Sequence, residues 1–177
     1  MGVEAVAKQA AANIFVSGAG ALGIEISKNL VLSGCKSFTL HDTKPVTHRD
    51  LSGQFFLNEL VEGKTRAEEC MPRLSQLNYY VRCKVAPNLP IPHDAEALEA
   101  EPWNFQQMDV IILTEADYAT AIAVNHYCRA KGKKFILAQL AGVFGRVFND
   151  FGDNFEVLDK NGEELQDVII RTISNEE

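Results

Sequence analysis

The feature that most limits the fold of this chain is a glycine-rich turn between an apolar segment and a helical pattern. The turn contains Gly18, Gly20 and Gly23, and it follows residues 13–17, whose three central residues are apolar. Apolar residues then recur at every fourth position up to Gly34. A strand, a tight turn and a helix in this order are typical of the first βαβ unit of a parallel sheet. The turn therefore predicts an α/β fold.

The rest of the chain continues the alternation of strands and helices. Predicted strands cover residues 37–42, 80–85, 109–113 and 134–140, and predicted helices cover residues 64–77 and 118–131. The strand at 109–113 is almost wholly apolar, as expected of a parallel strand buried on both faces. We therefore expect an α/β fold with a Rossmann-like, doubly wound, mainly parallel sheet.

The pattern changes after residue 141. Short apolar segments now alternate with turn residues such as Asn161-Gly162, which predicts a C-terminal β-hairpin or meander. We expect residues 1–141 to form the Rossmann-like domain and residues 142–177 to form a hairpin extension.

The glycine turn also predicts a nucleotide-type site. Glycines let backbone N–H groups and a helix N-terminus approach phosphates, and an acidic residue about 20 positions later can hold ribose hydroxyls. Asp42 ends the second predicted strand, 19 positions after Gly23. A bound nucleotide and a tight strand-to-helix junction without a ligand both explain this pattern, and the residues leave both open.

Composition argues against several other classes of function. The chain has 17 Lys and Arg against 24 Asp and Glu, a net charge of −7, and no basic run, so we expect no nucleic-acid partner. No apolar stretch is long enough to cross a bilayer, so we expect no membrane partner. The cysteines form no Cys-x-x-Cys pair and the histidines have no metal-ligand spacing, so we expect no metal site.

One class of enzyme remains as an alternative. Tyr127 and Lys131, with Thr114 upstream, mimic the Ser/Tyr/Lys set of short-chain dehydrogenases, but the glycine order of the turn differs and a chain of 177 residues is short for that class. A free-standing NAD-type oxidoreductase domain stays open, because the glycine turn and Asp42 suit it equally well.

Longer segments resemble a known family. The residues that carry the resemblance are the segment from Gly18 to Gly34, His41-Asp42, the segment 50–57, and Arg66-Ala-Glu68. They resemble the N-terminal, inactive adenylation half of the ubiquitin-activating enzymes, within the ThiF/MoeB-like superfamily. The tail from Phe151 to Glu164 is more similar to the single-chain enzymes of this family than to the small subunit of the SUMO-activating enzyme.

The resemblance implies that the chain is one piece of a longer, cytoplasmic and nuclear enzyme. Such a parent uses Mg-ATP to adenylate ubiquitin, carries it as a thioester on a cysteine beyond this chain, and works with ubiquitin-conjugating enzymes. Two adenylation halves pack together in this family, and only the second half turns over ATP. We therefore expect this chain to lack catalytic residues and a cofactor of its own, to lack an arginine-bearing segment at its start, and to support the active half as a scaffold.

The resemblance also implies a degenerate nucleotide site. Its cofactor-binding residues would be Gly18, Gly20, Gly23, Asp42, Arg66 and Asp117. Active halves carry Asn and Arg where this chain has Ser52 and Gly53, and Arg66 replaces a lysine. Asp117 falls near the metal-binding aspartate of the family, although its neighbours differ, and it is equally a candidate helix N-cap. These departures predict a site that does not support adenylation.

A partner surface is expected at Gln54, Phe55, Phe56 and Leu57. Three consecutive large apolar residues stand here in a connection between a strand and a helix, where a chain normally runs over the surface. Exposed apolar side chains favour association, so we expect the isolated chain to form a homodimer through this face in place of pairing with the active half. In the alternative, Phe55 and Phe56 fold back onto the core.

Overall fold

The computed structural model describes residues 2–60 and 62–157. The strands are β1 Asn13–Ser17, β2 Ser37–His41, β3 Arg82–Val85, β4 Val110–Leu113, β5 Lys134–Ala141 and β6 Phe144–Asp150. The helices are α1 Val3–Ala11, α2 Ala21–Leu32, α3 His48–Gly53, α4 Arg66–Gln76, α5 Ala95–Glu99 and α6 Tyr118–Ala130, with a 3-10 helix at Phe105–Gln107.

The six strands form one sheet in the order β3-β2-β1-β4-β5-β6. Strands β1 to β5 pair in parallel, and β6 pairs with β5 in the antiparallel direction. This confirms the predicted doubly wound, mainly parallel sheet with a C-terminal hairpin. The strand order changes direction between β1 and β4, and doubly wound folds bind their ligands at the carboxyl ends of the strands at such a point.

The core lies in two layers, one on each face of the sheet. Successive strand residues point to opposite faces, so Val16 of β1 packs with Ile24 of α2 and Leu74 of α4 on one face. On the other face, Phe15 of β1 packs with Phe105 and with residues of α6. Burial on both faces explains why the central strands are apolar throughout.

Several short elements were not predicted from the sequence. Helices α1, α3 and α5 have nine residues or fewer, and α5 lies in a proline-containing connection that sequence reasoning treated as irregular. The α5 helix begins where the Asp94 carboxylate accepts a hydrogen bond from the Ala97 backbone N–H. The third strand starts at Arg82, two residues later than predicted.

The predicted boundary between residues 141 and 142 falls in the turn between β5 and β6. Strand β6 continues the same sheet, with Ala141 paired to Phe144 and Phe135 paired to Asp150. The predicted turn at Asn161-Gly162 and the apolar segment 168–173 lie outside the described residues. The division of the chain into residues 1–141 and a hairpin extension at residues 142–177 stays a prediction.

Candidate functional site

The carboxyl ends of β1, β2 and β4 meet beside a cavity of about 170 Å³. Gly18, Asp42, Arg66 and Asp117, four of the six residues predicted to bind a cofactor, line this cavity. The other two belong to the helix that follows, since Gly20 is the N-cap of α2 and Gly23 lies in its first turn.

Arg66 is the centre of an ion-pair cluster beside this cavity. Its side chain is only 7% exposed, and it donates to three carboxylates. The bonds run from Nη2 to Asp42 Oδ2 at 2.5 Å, from Nη1 to Asp50 Oδ1 at 3.0 Å, and from Nη2 to Glu115 Oε2 at 2.8 Å. Lys44 Nζ donates to the same Glu115 oxygen at 2.6 Å. We call Asp42, Lys44, Asp50, Arg66 and Glu115 the Arg66 cluster.

Two capped helices place Asp50 and Arg66 opposite each other. In α4, the Thr65 side chain accepts from the Glu68 backbone N–H while the Glu68 carboxylate accepts from the Thr65 backbone N–H. In α3, the Asp50 carboxylate accepts from both the backbone N–H and the hydroxyl of Thr47. Because these bonds fix where each helix starts, they also fix the direction of the two charged side chains.

Asp42 holds the glycine turn in place. Its Oδ2 accepts from the Ala19 backbone N–H at 2.6 Å, and its Oδ1 accepts from the Lys44 backbone N–H at 2.8 Å. With Arg66 also bound to Oδ2, both oxygens are engaged within the chain. Asp42, which was predicted to hold ribose hydroxyls, therefore stabilises the glycine turn.

The environment of the Arg66 cluster favours the ionised forms of Asp50, Arg66 and Glu115. Burial alone would raise the pKa of Asp50 and of Glu115, but hydrogen bonds from neighbouring donors, Arg66 among them, outweigh it and lower both pKa values. Burial disfavours the charged guanidinium, yet the carboxylates raise the pKa of Arg66 above its ordinary value. Formally, Asp42, Asp50 and Glu115 carry three negative charges against two positive charges on Arg66 and Lys44.

Close packing by itself explains why Gly18 and Gly23 are glycines. A Cβ added at Gly23 would lie 1.8 Å from the Gly18 carbonyl oxygen. Gly18 has a φ of +104°, and a Cβ there would lie 2.1 Å from Thr114 Oγ1. The strand-to-helix junction therefore requires glycine at both positions, with or without a ligand.

Gln54 is buried and joins the glycine turn to α4. Its Nε2 donates to the Ala19 carbonyl oxygen at 2.6 Å, and its Oε1 accepts from Cys70 Sγ at 3.3 Å. A buried carboxamide with both ends bonded is a structural link.

The expectation that residues 54–57 form one exposed apolar face is wrong. Phe56 is 8% exposed and Leu57 is 2% exposed, and both pack in the core beside α2 and α4. Phe55 is 53% exposed and packs against the Phe56 ring, with centroids 4.4 Å apart. The segment turns inward because Gln54 is anchored to the glycine turn and to α4. A role of Phe55 in an interface stays a prediction.

Asp117 is the N-cap of α6. Its carboxylate accepts from the Thr120 backbone N–H at 2.7 Å, and this bond lowers the pKa of Asp117. The structure thus gives Asp117 the helix-capping contact that the sequence allowed.

The cysteines, Tyr127 and Lys131, which the sequence analysis considered, are buried or paired with other side chains. Burial raises the pKa of Cys35 and Cys70 to about 11 and of Cys128 to about 12, so these thiols stay protonated at neutral pH. Burial also raises the pKa of Tyr127 to about 12, and Lys131 pairs with Glu99. Within residues 2–60 and 62–157, no cluster of three or more potential ligands is arranged for a metal ion, and no helix has the length and apolarity to cross a membrane.

Sequence reasoning missed Lys44, Asp50 and Glu115. Lys44 stands in a polar connection with no distinctive pattern, and Asp50 was noted only as the first residue of the segment 50–57 that carries the resemblance. Glu115 could have been found from its position, because it stands two residues after the apolar strand β4, on the edge where doubly wound folds place ligand-contacting residues.

Comparisons with known proteins agree with this architecture. The profile of the ThiF family matches residues 1–167. Human ubiquitin-like modifier-activating enzyme 6 is 36% identical over 178 residues, and ubiquitin-activating enzyme E1 1 of Candida albicans (strain WO-1) is 38% identical over 173 residues. Each alignment covers 98% of this chain and 16% of the relative, so the chain spans about a sixth of their length.

A solved structure shares the fold. The crystal structure of E. coli MccB with AMPCPP and MccA has a TM-score of 0.63 and 23% identity, over 75% of this chain and 38% of MccB. At this identity the similarity is one of fold.

Proposed function

Because the chain belongs to the ThiF family, we propose that it is the N-terminal, non-catalytic adenylation half of a ubiquitin-activating enzyme. The relatives named above support this, since their similarity is to ubiquitin-activating and ubiquitin-like modifier-activating enzymes. The chain covers 16% of their length, so the activity of the parent belongs to the proposal. The parent activates ubiquitin with Mg-ATP, works with ubiquitin-conjugating enzymes, and acts in the cytoplasm and nucleus.

The observation that carries the non-catalytic assignment is the engagement of Arg66. A site that adenylates a carboxylate needs cations facing the phosphates of ATP. Arg66 is the buried cation beside the glycine turn, and its guanidinium already donates to Asp42, Asp50 and Glu115. A triphosphate would have to displace these carboxylates.

Charge opposes Mg-ATP as well. The Arg66 cluster carries one more negative than positive formal charge. The residues present therefore do not fit Mg-ATP, and the role of this half is to support the active half.

The contacts of three residues disfavour the NAD-type alternative. Both oxygens of Asp42 already accept hydrogen bonds within the chain, so ribose hydroxyls would compete with the Ala19 and Lys44 backbone N–H groups and with Arg66. Tyr127 is buried and Lys131 is paired with Glu99, so they do not form a catalytic pair.

The test is ubiquitin-dependent exchange between ATP and pyrophosphate, with the Candida albicans ubiquitin-activating enzyme E1 1 as the positive control. We expect the purified chain to give no exchange above a blank without protein. Calorimetric titration with ATP and with NADH should show no saturable binding up to about millimolar concentration, equivalent to a binding free energy weaker than roughly −4 kcal/mol. Exchange activity, or a micromolar dissociation constant for ATP, would contradict the proposal.

A further inference from the structure

We propose that Glu115 is the residue that excludes phosphate groups from the glycine turn. The inference rests on the proposed function, in which this half does not bind ATP, and it names the side chain responsible. Glu115 occupies the position of an anionic ligand within the chain's own fold.

The topology brings Glu115 to the glycine turn. Strands β1 and β4 are neighbours in the sheet, and Leu113 of β4 pairs with Ser17 of β1. Glu115 therefore leaves the sheet beside the turn that follows Ser17. A Cβ added at Gly20 would lie 2.1 Å from Glu115 Oε1, so the carboxylate rests directly against the Gly20 backbone. Close approach to this backbone is what a glycine turn offers to a phosphate.

The carboxylate also uses the cations that a phosphate would need. Oε2 of Glu115 accepts from Lys44 Nζ at 2.6 Å and from Arg66 Nη2 at 2.8 Å. Carboxylates and phosphates both take charge-assisted hydrogen bonds from such donors. Because Glu115 is part of the chain, its effective concentration at the cations is high and a dissolved anion competes poorly.

The other two carboxylates of the Arg66 cluster have different roles. Asp42 and Asp50 are more deeply buried than Glu115, with side chains 3% and 12% exposed against 31%. Asp42 holds the glycine turn through the Ala19 backbone N–H, and Asp50 caps α3 through Thr47. Removing Glu115 alone leaves Arg66 bonded to Asp42 and Asp50, and brings the formal charge of the cluster from −1 to zero.

The experiment measures binding of inorganic pyrophosphate by titration calorimetry at low ionic strength. Glu115→Ala should bind pyrophosphate at least about tenfold more tightly than the unmodified chain, because one or more charge-assisted hydrogen bonds become available to the ligand. Glu115→Gln, which removes the charge and keeps the size, should show a smaller gain. The matched control is Glu69→Ala, which removes a carboxylate from the Lys64–Glu69 pair outside the cluster and should leave binding unchanged.

A second variant tests where the gained binding occurs. Adding Lys44→Ala to Glu115→Ala should reduce the gain, because it removes one of the two cations that Glu115 Oε2 contacts and leaves Arg66 in place. A gain in the double variant as large as that in Glu115→Ala would place the anion away from Lys44 and overturn the inference.

The outcomes separate this inference from the proposed function. Circular dichroism establishes that each variant is folded, and Glu115→Gln serves as the test if Glu115→Ala is not. A folded Glu115 variant that binds pyrophosphate no better than Glu69→Ala would overturn the inference and leave the proposed function standing. Micromolar binding of ATP by the unmodified chain would overturn the proposed function.

Discussion

A buried arginine is costly unless carboxylates surround it, and Arg66 has three within hydrogen-bond distance. The three come from different parts of the chain: Asp42 follows β2, Asp50 lies in α3, and Glu115 follows β4. One guanidinium thus joins three segments that are separate along the chain. The planar fork of arginine suits this arrangement, because it donates in several fixed directions at once.

Arg66→Met should lower the free energy of unfolding by about 3 to 5 kcal/mol, because it leaves Asp42 and Asp50 buried without their cation. Urea denaturation at pH 7 measures this. Lys64→Met removes one side of an ion pair that is half exposed and should cost at most about 1 kcal/mol. Equal losses in the two variants would mean that the Arg66 cluster contributes no more than a surface pair.

Gly23→Ala should destabilise the fold by about 1 to 3 kcal/mol through overpacking, since the added methyl group would lie 1.8 Å from the Gly18 carbonyl oxygen. The matched control is Gly53→Ala, where the nearest atom outside its neighbours, Ala21 Cβ, is 3.9 Å away. We expect that control to be neutral or slightly stabilising in α3. The melting temperatures of Gly23→Ala and Gly53→Ala test this prediction. Similar values would show that the turn can relax around a methyl group.

At the residue scale, the sequence predicted contacts that are local and missed those that are not. The requirement for glycine at Gly23 arises within six residues, because a Cβ there would meet the Gly18 carbonyl oxygen, so it can be predicted from the local sequence. The role of Glu115 depends on Lys44 and Arg66, which are 71 and 49 residues away along the chain. Nothing in the local pattern around Glu115 specifies those partners.

Helix α4 connects the two parts of the structure that matter most for the site. Its first residue is Arg66, and its buried side packs Ala67, Cys70 and Leu74 against the core. The N-cap Thr65 therefore determines where both the charged group and the apolar face begin. If α4 began at a different residue, Arg66 would move relative to its carboxylates.

Thr65→Ala should cost about 1 kcal/mol of stability, because the α4 N-terminus loses the side-chain oxygen that accepts from the Glu68 backbone N–H. Thr65→Ser keeps that oxygen and should restore most of the loss. Thr43→Ala, at an exposed position in the connection after β2, should change the stability little. Chemical denaturation midpoints distinguish the three, and a Thr65→Ser variant as unstable as Thr65→Ala would assign the effect to the lost methyl group.

At the element scale, the regular strands and long helices followed from apolar periodicity, with boundaries within two residues for β3 and α4. The short helices did not, because a helix of one or two turns is stable only through tertiary contacts. Phe56 and Leu57 illustrate the same limit in a loop. Their burial depends on α2 and α4 lying behind them, which the composition of the loop does not show.

For the whole molecule, stability should decline in two pH ranges as acid is added. The first involves His41, whose Nε2 donates to the Leu89 carbonyl oxygen and whose Nδ1 accepts from the Ser17 hydroxyl, both at 2.9 Å. Burial lowers the pKa of His41. The unfolded chain therefore takes up a proton more readily than the folded chain once the pH falls below about 6.5, and the free energy of unfolding falls with it.

The second range lies below about pH 4.5, where unfolded carboxylates begin to take up protons. Because the pKa values of Asp50 and Glu115 are lowered in the fold, their stabilisation is present above this range and is lost as the pH falls through the folded values. Urea midpoints from pH 7.5 to 3 should show both declines. His41→Gln should flatten only the upper decline, and a decline unchanged in that variant would rule out His41 as its source.

The position of β1 at the middle of the sheet bears on how this chain folds as it is synthesised. Asn13, at the start of β1, bonds through its backbone N–H to the carboxylate of Asp109, 96 residues later. At typical rates of translation, roughly 5 to 20 s pass before the ribosome supplies the segment that forms β4. One edge of β1 lacks its partner for that time, and unpaired strand edges are sites of aggregation. Nascent chains ending before β4 should therefore stay protease-sensitive and bind chaperones, with protection appearing only after β4 has left the exit tunnel.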